Sequence, residues 1–194
     1  MSMARDDALK ALIPHVGERD IVVAVYQSCF DWLALNPRDL NYVAVGAMGQ
    51  ASSHGLGLAL VNPDRRVFVF DGDGSLLMNL GALVTIAGAG VHNLYHFTFV
   101  NRVYEVNGKQ PLPGNEQLDF AGMARSAGYA GARGFNDLQG FKDGVPGMLE
   151  AAGPQFAALE IVPGAAYPQR YDYIHSREAR ETFRAALDRP GEKP

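Results

Sequence analysis

Cysteine is almost missing: Cys29 is the only one in 194 residues. That excludes an intramolecular disulfide framework, a multi-cysteine zinc site and an in-chain four-cysteine iron–sulfur cluster, and it leaves Cys29 as a buried or incidental thiol. An excess of positive charge is missing too. Lys and Arg total 17 against 21 Asp and Glu, a formal net charge of −4, which excludes a bulk-basic nucleic-acid binder but not a local basic patch. The opening MSMARDDALK has no apolar h-region, so no secretory signal is visible and the cytoplasm is the expected compartment. Internal repeats and low-complexity blocks are absent. No Asp, Glu, Lys or Arg lies between Asp73 and Arg102, yet a bilayer span needs about 20 predominantly apolar residues. Ser75, Asn79, His92, Asn93, His96 and recurrent glycines interrupt this stretch. It reads as a buried helix followed by a buried strand.

What is present is ordinary globular composition, 47% apolar and 20% charged, in a length that suits one domain with a full core. Leu9, Leu12 and Ile13 mark a helix over 4–13 that ends before Pro14. Strands are predicted at 21–26, 41–45, 66–71, 94–100, 129–133 and 156–162. Helices are predicted at 28–35, 50–61, 75–89, 119–127, 137–151 and 176–188, with a polar loop over 101–118. This alternation predicts an α/β fold, a doubly wound, mostly parallel sheet of about five or six strands with helices on both faces. Right-handed crossovers then place the strand-to-helix loops at one sheet edge, where a ligand should sit.

The chemistry concentrates in residues 68–101. A strand ends at Phe70, and the turn Asp71-Gly72-Asp73-Gly74-Ser75 leads into a helix. Small residues let the backbone approach a ligand closely, and a helix N-terminus favours an anion. Asp73 beside an anion would be repulsive without a cation between them. The economical reading is a hard divalent metal bridging Asp73 and a phosphate. The next strand ends at Asn101, at the same sheet edge, with an amide oxygen suited to the same metal. Gly-Asp-Gly alone is a common turn. Strand, GDGS, apolar helix, strand and Asn in succession is far more specific.

That succession resembles the signature of thiamine-diphosphate-dependent enzymes, and within them it looks most like the decarboxylases acting on sulfopyruvate and phosphonopyruvate. The likeness includes Gly46-Ala47-Met48-Gly49-Gln50-Ala51-Ser52-Ser53, the run GSLLMNLGALVTIA and the loop NRVYEVNGKQ, and it covers most of residues 20–163. It implies a diphosphate-binding domain of the C-terminal type over 1–194, with 165–194 as an extension or interface tail. By resemblance, Asp73, Asn101 and the carbonyl of Val103 would hold Mg²⁺. Gly72, the N–H groups of Gly74 and Ser75, and the hydroxyls of Ser52 and Ser53 would face the diphosphate. Met48 would bend the cofactor, the Gly46 carbonyl would accept a hydrogen bond from its amino group, and Tyr104 would cover it.

The same resemblance implies a missing part. The cofactor-activating glutamate belongs to a separate pyrimidine-binding domain, and ahead of the diphosphate-binding segment the sole glutamate is Glu18. The expected arrangement is a beta-type subunit, with a second, alpha-type chain supplying that glutamate in a hetero-oligomer. The expected substrate is a small anionic 2-oxo acid. Alternatives are carboligation, oxidative transfer, or a cofactor-binding or assembly module without turnover. The catalytic candidates in this chain are His54 and Glu105 as proton carriers and Tyr104 beside the cofactor. Each has a structural reading: His54 as a helix-face residue, and the Tyr104–Glu105 pair as plain loop. Arg102, where family members have a small residue, would pair with the diphosphate or an anionic substrate, or point away into solvent. His92 and His96 read as core or edge histidines. The aromatic tail Tyr167–His175 suits either an interface or local packing of the last helix.

Overall fold

The computed structural model describes residues 3–43, 47–114 and 117–189. In chain order these form β1 (Met3–Ala4), α1 (Arg5–Leu12), β2 (Ile21–Ala24), α2 (Tyr26–Leu35), β3 (Asn41–Tyr42), α3 (Ala51–Val61) and β4 (Val67–Gly72). Then come α4 (Asp73–Met78), α5 (Ala82–Gly88), β5 (Leu94–Val100), β6 (Val103–Tyr104), β7 (Gln110–Pro111) and α6 (Phe120–Ala127). The chain closes with β8 (Gly131–Phe135), α7 (Leu138–Glu150), β9 (Gln155–Val162), α8 (Tyr171–Ile174) and α9 (Arg177–Leu187).

The main sheet runs β1-β9-β5-β4-β2-β3, with β8 also on β9, seven strands in all among the described residues. Every pairing in it is parallel. The doubly wound fold is therefore as expected, with more strands. The additions are short: β1 is two residues on the end of β9, a length too small to show a period in sequence.

Alternation along the strands explains the two layers. On β4, Val67 and Val69 face one core while Phe68 and Phe70 face the other. The first core is closed by α3, α5 and α6 through Ala51, Ala59, Leu83, Ile86, Phe120 and Ala124. The second is closed by α1, α2 and α7 through Leu9, Leu12, Trp32, Phe141 and Met148. This second layer is aromatic: Trp32 meets Phe70 edge-on at 4.9 Å between ring centres, and Phe68 stacks on Phe97 at 6.1 Å. Burial on both faces is what makes these strands nearly continuous apolar runs.

One predicted element is corrected. The helix expected over 75–89 is two helices, α4 and α5, broken at Asn79. Asn79 leaves the helical region at φ −144°, ψ 50°, and its amide donates to the Gly49 carbonyl at 2.9 Å. That tertiary bond competes with helix continuation, and the periodicity of apolar side chains does not register it. The loop over 101–118 also contains structure, the antiparallel ladder of β6 and β7.

The tail touches α1 and α2 of its own chain. The Tyr167 hydroxyl lies 3.4 Å from Asp6 Oδ2, Tyr171 meets Phe30 edge-on at 4.8 Å, and Ile174 is buried. Among the described residues no helix is long and apolar enough to cross a membrane. Cys29 is buried, and burial pushes its thiol up to about 12. A thiol reagent at pH 8 is therefore expected to leave native protein unlabelled and to modify one thiol per chain after denaturation, as read by mass spectrometry.

Candidate cofactor and metal site

The chain steps outward from β2 to β3 and then returns to the other side of β2 with β4. The loops after β2 and β4 therefore diverge at the carboxyl ends of the strands, the place where doubly wound sheets leave a crevice. A pocket opens there. It is lined by Val25 to Ser28 after β2, Gly72 to Ser75 after β4, and Asn101 and Val103 to Val106 after β5. Met48, Phe99 and Arg5 complete the wall.

Asp73 begins α4 and is 2% exposed. Its Oδ1 accepts the Gly74 N–H at 2.8 Å and its Oδ2 accepts the Arg102 N–H at 2.6 Å. Burial pushes the carboxyl up to about 6, although the N–H groups of Arg102, Gly74 and Asn101 and the Arg102 charge pull the other way. This carboxylate is thus held by backbone yet short of compensating charge. Because α4 has only six residues, its dipole is a weak source of positive potential, and a cation would have to supply most of the compensation.

Asn101 is fixed at both ends of its amide. Oδ1 accepts the Val103 N–H at 3.0 Å, and Nδ2 donates to Glu105 Oε2 at 3.0 Å. Glu105 Oε2 also takes Arg5 Nη1 at 2.7 Å. Tyr104 lies over the turn: a Cβ on Gly74 would fall 2.6 Å from its ring, so only glycine fits beneath it. Gly49, at φ +83°, donates its N–H to Ser75 Oγ at 2.9 Å while its carbonyl takes the Asn79 amide. This clasp holds the turn that carries Met48 against the pocket.

The expected residues divide cleanly. Met48, Gly72, Asp73, Gly74, Ser75, Asn101, Val103, Tyr104 and Glu105 share the pocket wall. Ser52, Ser53 and His54 do not line it. Ser52 is buried in the first turn of α3, and Ser53 Oγ lies 3.4 Å from the Asn79 amide. His54 has Nδ1 2.9 Å from the Gln50 carbonyl and its ring 5.3 Å from that of Tyr42. Gly46 lies outside the described residues. The Arg102 side chain points away from the pocket wall: its guanidinium pairs with Glu160 and donates to the Leu118 carbonyl at 3.2 Å. Its backbone is what serves the site, in the left-handed region at φ 65°, with the N–H on Asp73.

His96 is a core histidine, 0% exposed, with Nδ1 3.3 Å from the Tyr129 hydroxyl. His92 sits exposed at the entry to β5. Two contributors escaped sequence reasoning. Asn79 holds the Met48 turn, and Arg5 reaches the pocket from the amino-terminal helix. Both act through tertiary bonds, to Gly49 and to Asp31 and Glu105, that leave no local pattern in the sequence.

The chemistry of the lining residues fits a hard divalent cation: Asp73 brings a carboxylate, Asn101 an amide oxygen and the backbone its carbonyls to one pocket wall. Among the described residues no three His, Cys, Asp or Glu side chains form a metal cluster, so a cation here relies on mixed oxygen donors and on an anionic ligand. Glycine-lined backbone beside it suits a phosphate.

Fold and site together define a doubly wound α/β domain with a glycine-lined, carboxylate-bearing pocket at its switch point. The model for thiamine pyrophosphate enzymes, C-terminal TPP binding domain, matches residues 23–160, and the chain belongs to that family. A phosphonopyruvate decarboxylase of Streptomyces viridochromogenes is 33% identical over 193 residues, covering 97% of this chain and 48% of that protein. The sulfopyruvate decarboxylase subunit beta of Methanothermobacter thermautotrophicus is 42% identical over 126 residues, 65% of this chain and 64% of that one. This chain thus spans about half the length of the first relative. A solved structure of a thiamin diphosphate-dependent enzyme from Mycobacterium smegmatis shares the fold. Its TM-score is 0.72 at 21% identity, over 84% of this chain and 32% of that one.

Proposed function

We propose that this chain is the thiamine-diphosphate- and Mg²⁺-holding part of a 2-oxo acid decarboxylase of the sulfopyruvate or phosphonopyruvate type. In this reading it acts with a separate pyrimidine-domain chain. The observation that carries the reading is the meeting of Asp73, Asn101 and Val103 in one pocket behind the Gly-Asp-Gly turn. Relatives that align with most of this chain bear those decarboxylase names, some of them as a beta subunit.

Asp73, Asn101 and the Val103 carbonyl would hold the cation. Gly72, Gly74 and Ser75 would lie along the diphosphate, and Met48 and Tyr104 would shape the space beside the cofactor rings. Bound thiamine diphosphate supplies an electron-accepting ring that takes up the electron pair released as CO₂ leaves a 2-oxo acid. The chain's own residues orient and enclose. Ser75 and Asn79 hold the Met48 turn, Tyr104 covers the Gly-Asp-Gly turn, and the buried carboxylate sets the cation's place. Glu105 is engaged by Arg5 and Asn101, and in this reading the activating glutamate would come from the partner chain.

The test is a turnover assay with sulfopyruvate and phosphonopyruvate, cofactor and Mg²⁺. The chain alone is expected to release CO₂ at no more than about a thousandth of the rate reached with a co-encoded pyrimidine-domain partner, since cofactor activation needs the partner's acid. No turnover with the partner on either acid would point instead to a non-catalytic binding module.

A further inference from the structure

Arg5 has no place in the proposed chemistry, yet it sits in the pocket wall at 4% exposure. It lies before residue 23, where the family match begins. Its side chain joins two acids distant in sequence. Nε donates to Asp31 Oδ2 at 2.6 Å and Nη1 to Glu105 Oε2 at 2.7 Å. The same Glu105 oxygen accepts the Asn101 amide at 3.0 Å. A continuous chain of charge-assisted bonds thus runs from Asp31 in α2, through Arg5 in α1, to Glu105 and the side chain of Asn101.

An asparagine amide has two nearly isosteric ends, one an oxygen acceptor and the other a donor NH₂. Only the oxygen can face a cation. With Nδ2 drawn to Glu105 and Oδ1 receiving the Val103 N–H, the amide is locked with its oxygen on the Val103 side. Glu105 is itself partly exposed, with a side chain 26% accessible, and needs an anchor to hold that orientation. Arg5 is the anchor, and Asp31, 1% exposed, keeps the guanidinium from swinging into the pocket.

We infer that Arg5, backed by Asp31, is a positioning residue that acts through Glu105 to hold the Asn101 amide oxygen toward the cation. Glu105 then works by geometry and not as a proton carrier. The inference rests on the cation-holding reading of the pocket. Ligand-orienting partners of this kind change metal affinity by about 10- to 100-fold when removed.

The experiment measures Mn²⁺ binding by electron paramagnetic resonance, with thiamine diphosphate present and with the partner chain if the complex requires it. Arg5→Met with Asp31→Leu removes the buried pair as a unit, so that no lone charge stays inside. Its dissociation constant for Mn²⁺ is expected to rise about tenfold or more, with the thermal midpoint retained. Glu105→Leu is expected to match it. Glu105→Gln, which keeps an oxygen for both donors, is expected to stay within about threefold of wild type. The side-chain amide signals of Asn101 in a ¹⁵N correlation spectrum report the lock without any metal, and should lose their protection from exchange in the double variant. Wild-type affinity and unchanged amide signals in both the double variant and Glu105→Leu would overturn the inference alone. Absence of Asp73-dependent Mn²⁺ binding in wild type would overturn the reading beneath it, and the inference with it.

Discussion

Asp73→Ala is expected to weaken magnesium-dependent binding of thiamine diphosphate by at least about a hundredfold, or some 2.7 kcal/mol. Asp73 is the one carboxylate in the proposed ligand set. The remaining donors, an amide oxygen and backbone carbonyls, are neutral and cannot offset a divalent charge brought into a desolvated pocket. The N–H groups of Gly74 and Arg102 would also lose their acceptor. The two turns would then be free to separate. Ser53→Ala makes the contrast. That hydroxyl is spent on the Asn79 amide outside the pocket wall, so its removal should change cofactor affinity less than about threefold. Titration calorimetry on both variants checks the pair. Equal losses would mean that the diphosphate lies along α3 and not along the Gly-Asp-Gly turn.

Phe70→Ala is expected to cost about 3–5 kcal/mol of stability. Phe70 is fully buried one residue before the turn, and its ring meets those of Trp32, Phe68, Phe97 and Phe99. Truncation opens a cavity between β4 and α2 that these aromatic neighbours cannot close without leaving their rotamers. In a chain of this size that corresponds to a fall in the thermal midpoint of about 10 °C or more. Trp32 is the single tryptophan and packs on Phe70, so its emission follows the loss directly. A midpoint within about 2 °C of wild type would show that the aromatic layer does not hold the strand as described.

Much of the fold was legible because buried parallel strands write themselves as runs such as RVFVFD and LYHFTFV, punctuated by glycine turns. The heart of the proposed site was legible for the same reason. Gly72 ends β4, Asp73 and Gly74 follow it into α4, and Asn101 follows the last residue of β5, so parallel pairing of β4 with β5 brings them together. The hydroxyls of Ser52 and Ser53 were not placeable, because whether a first-turn side chain faces the pocket depends on the phase of α3 against the sheet. The Asn79 break and the Arg5 chain rest on tertiary bonds. Arg5 meets partners 26 and 100 residues away, a separation that leaves no local period to read. Arg102 shows the opposite case, a residue whose backbone N–H serves the site while its side chain turns elsewhere.

The account stands on a cation and a diphosphate sharing the Asp73–Asn101 pocket. Calorimetric titration of the protein with thiamine diphosphate, with Mg²⁺ and then with the metal removed by chelator, tests that most directly, in the presence of the partner chain where the complex needs it. The account predicts saturable binding with Mg²⁺, lost on chelation and restored when the metal is returned. Binding of equal strength with and without the metal would contradict it, as would no binding under either condition.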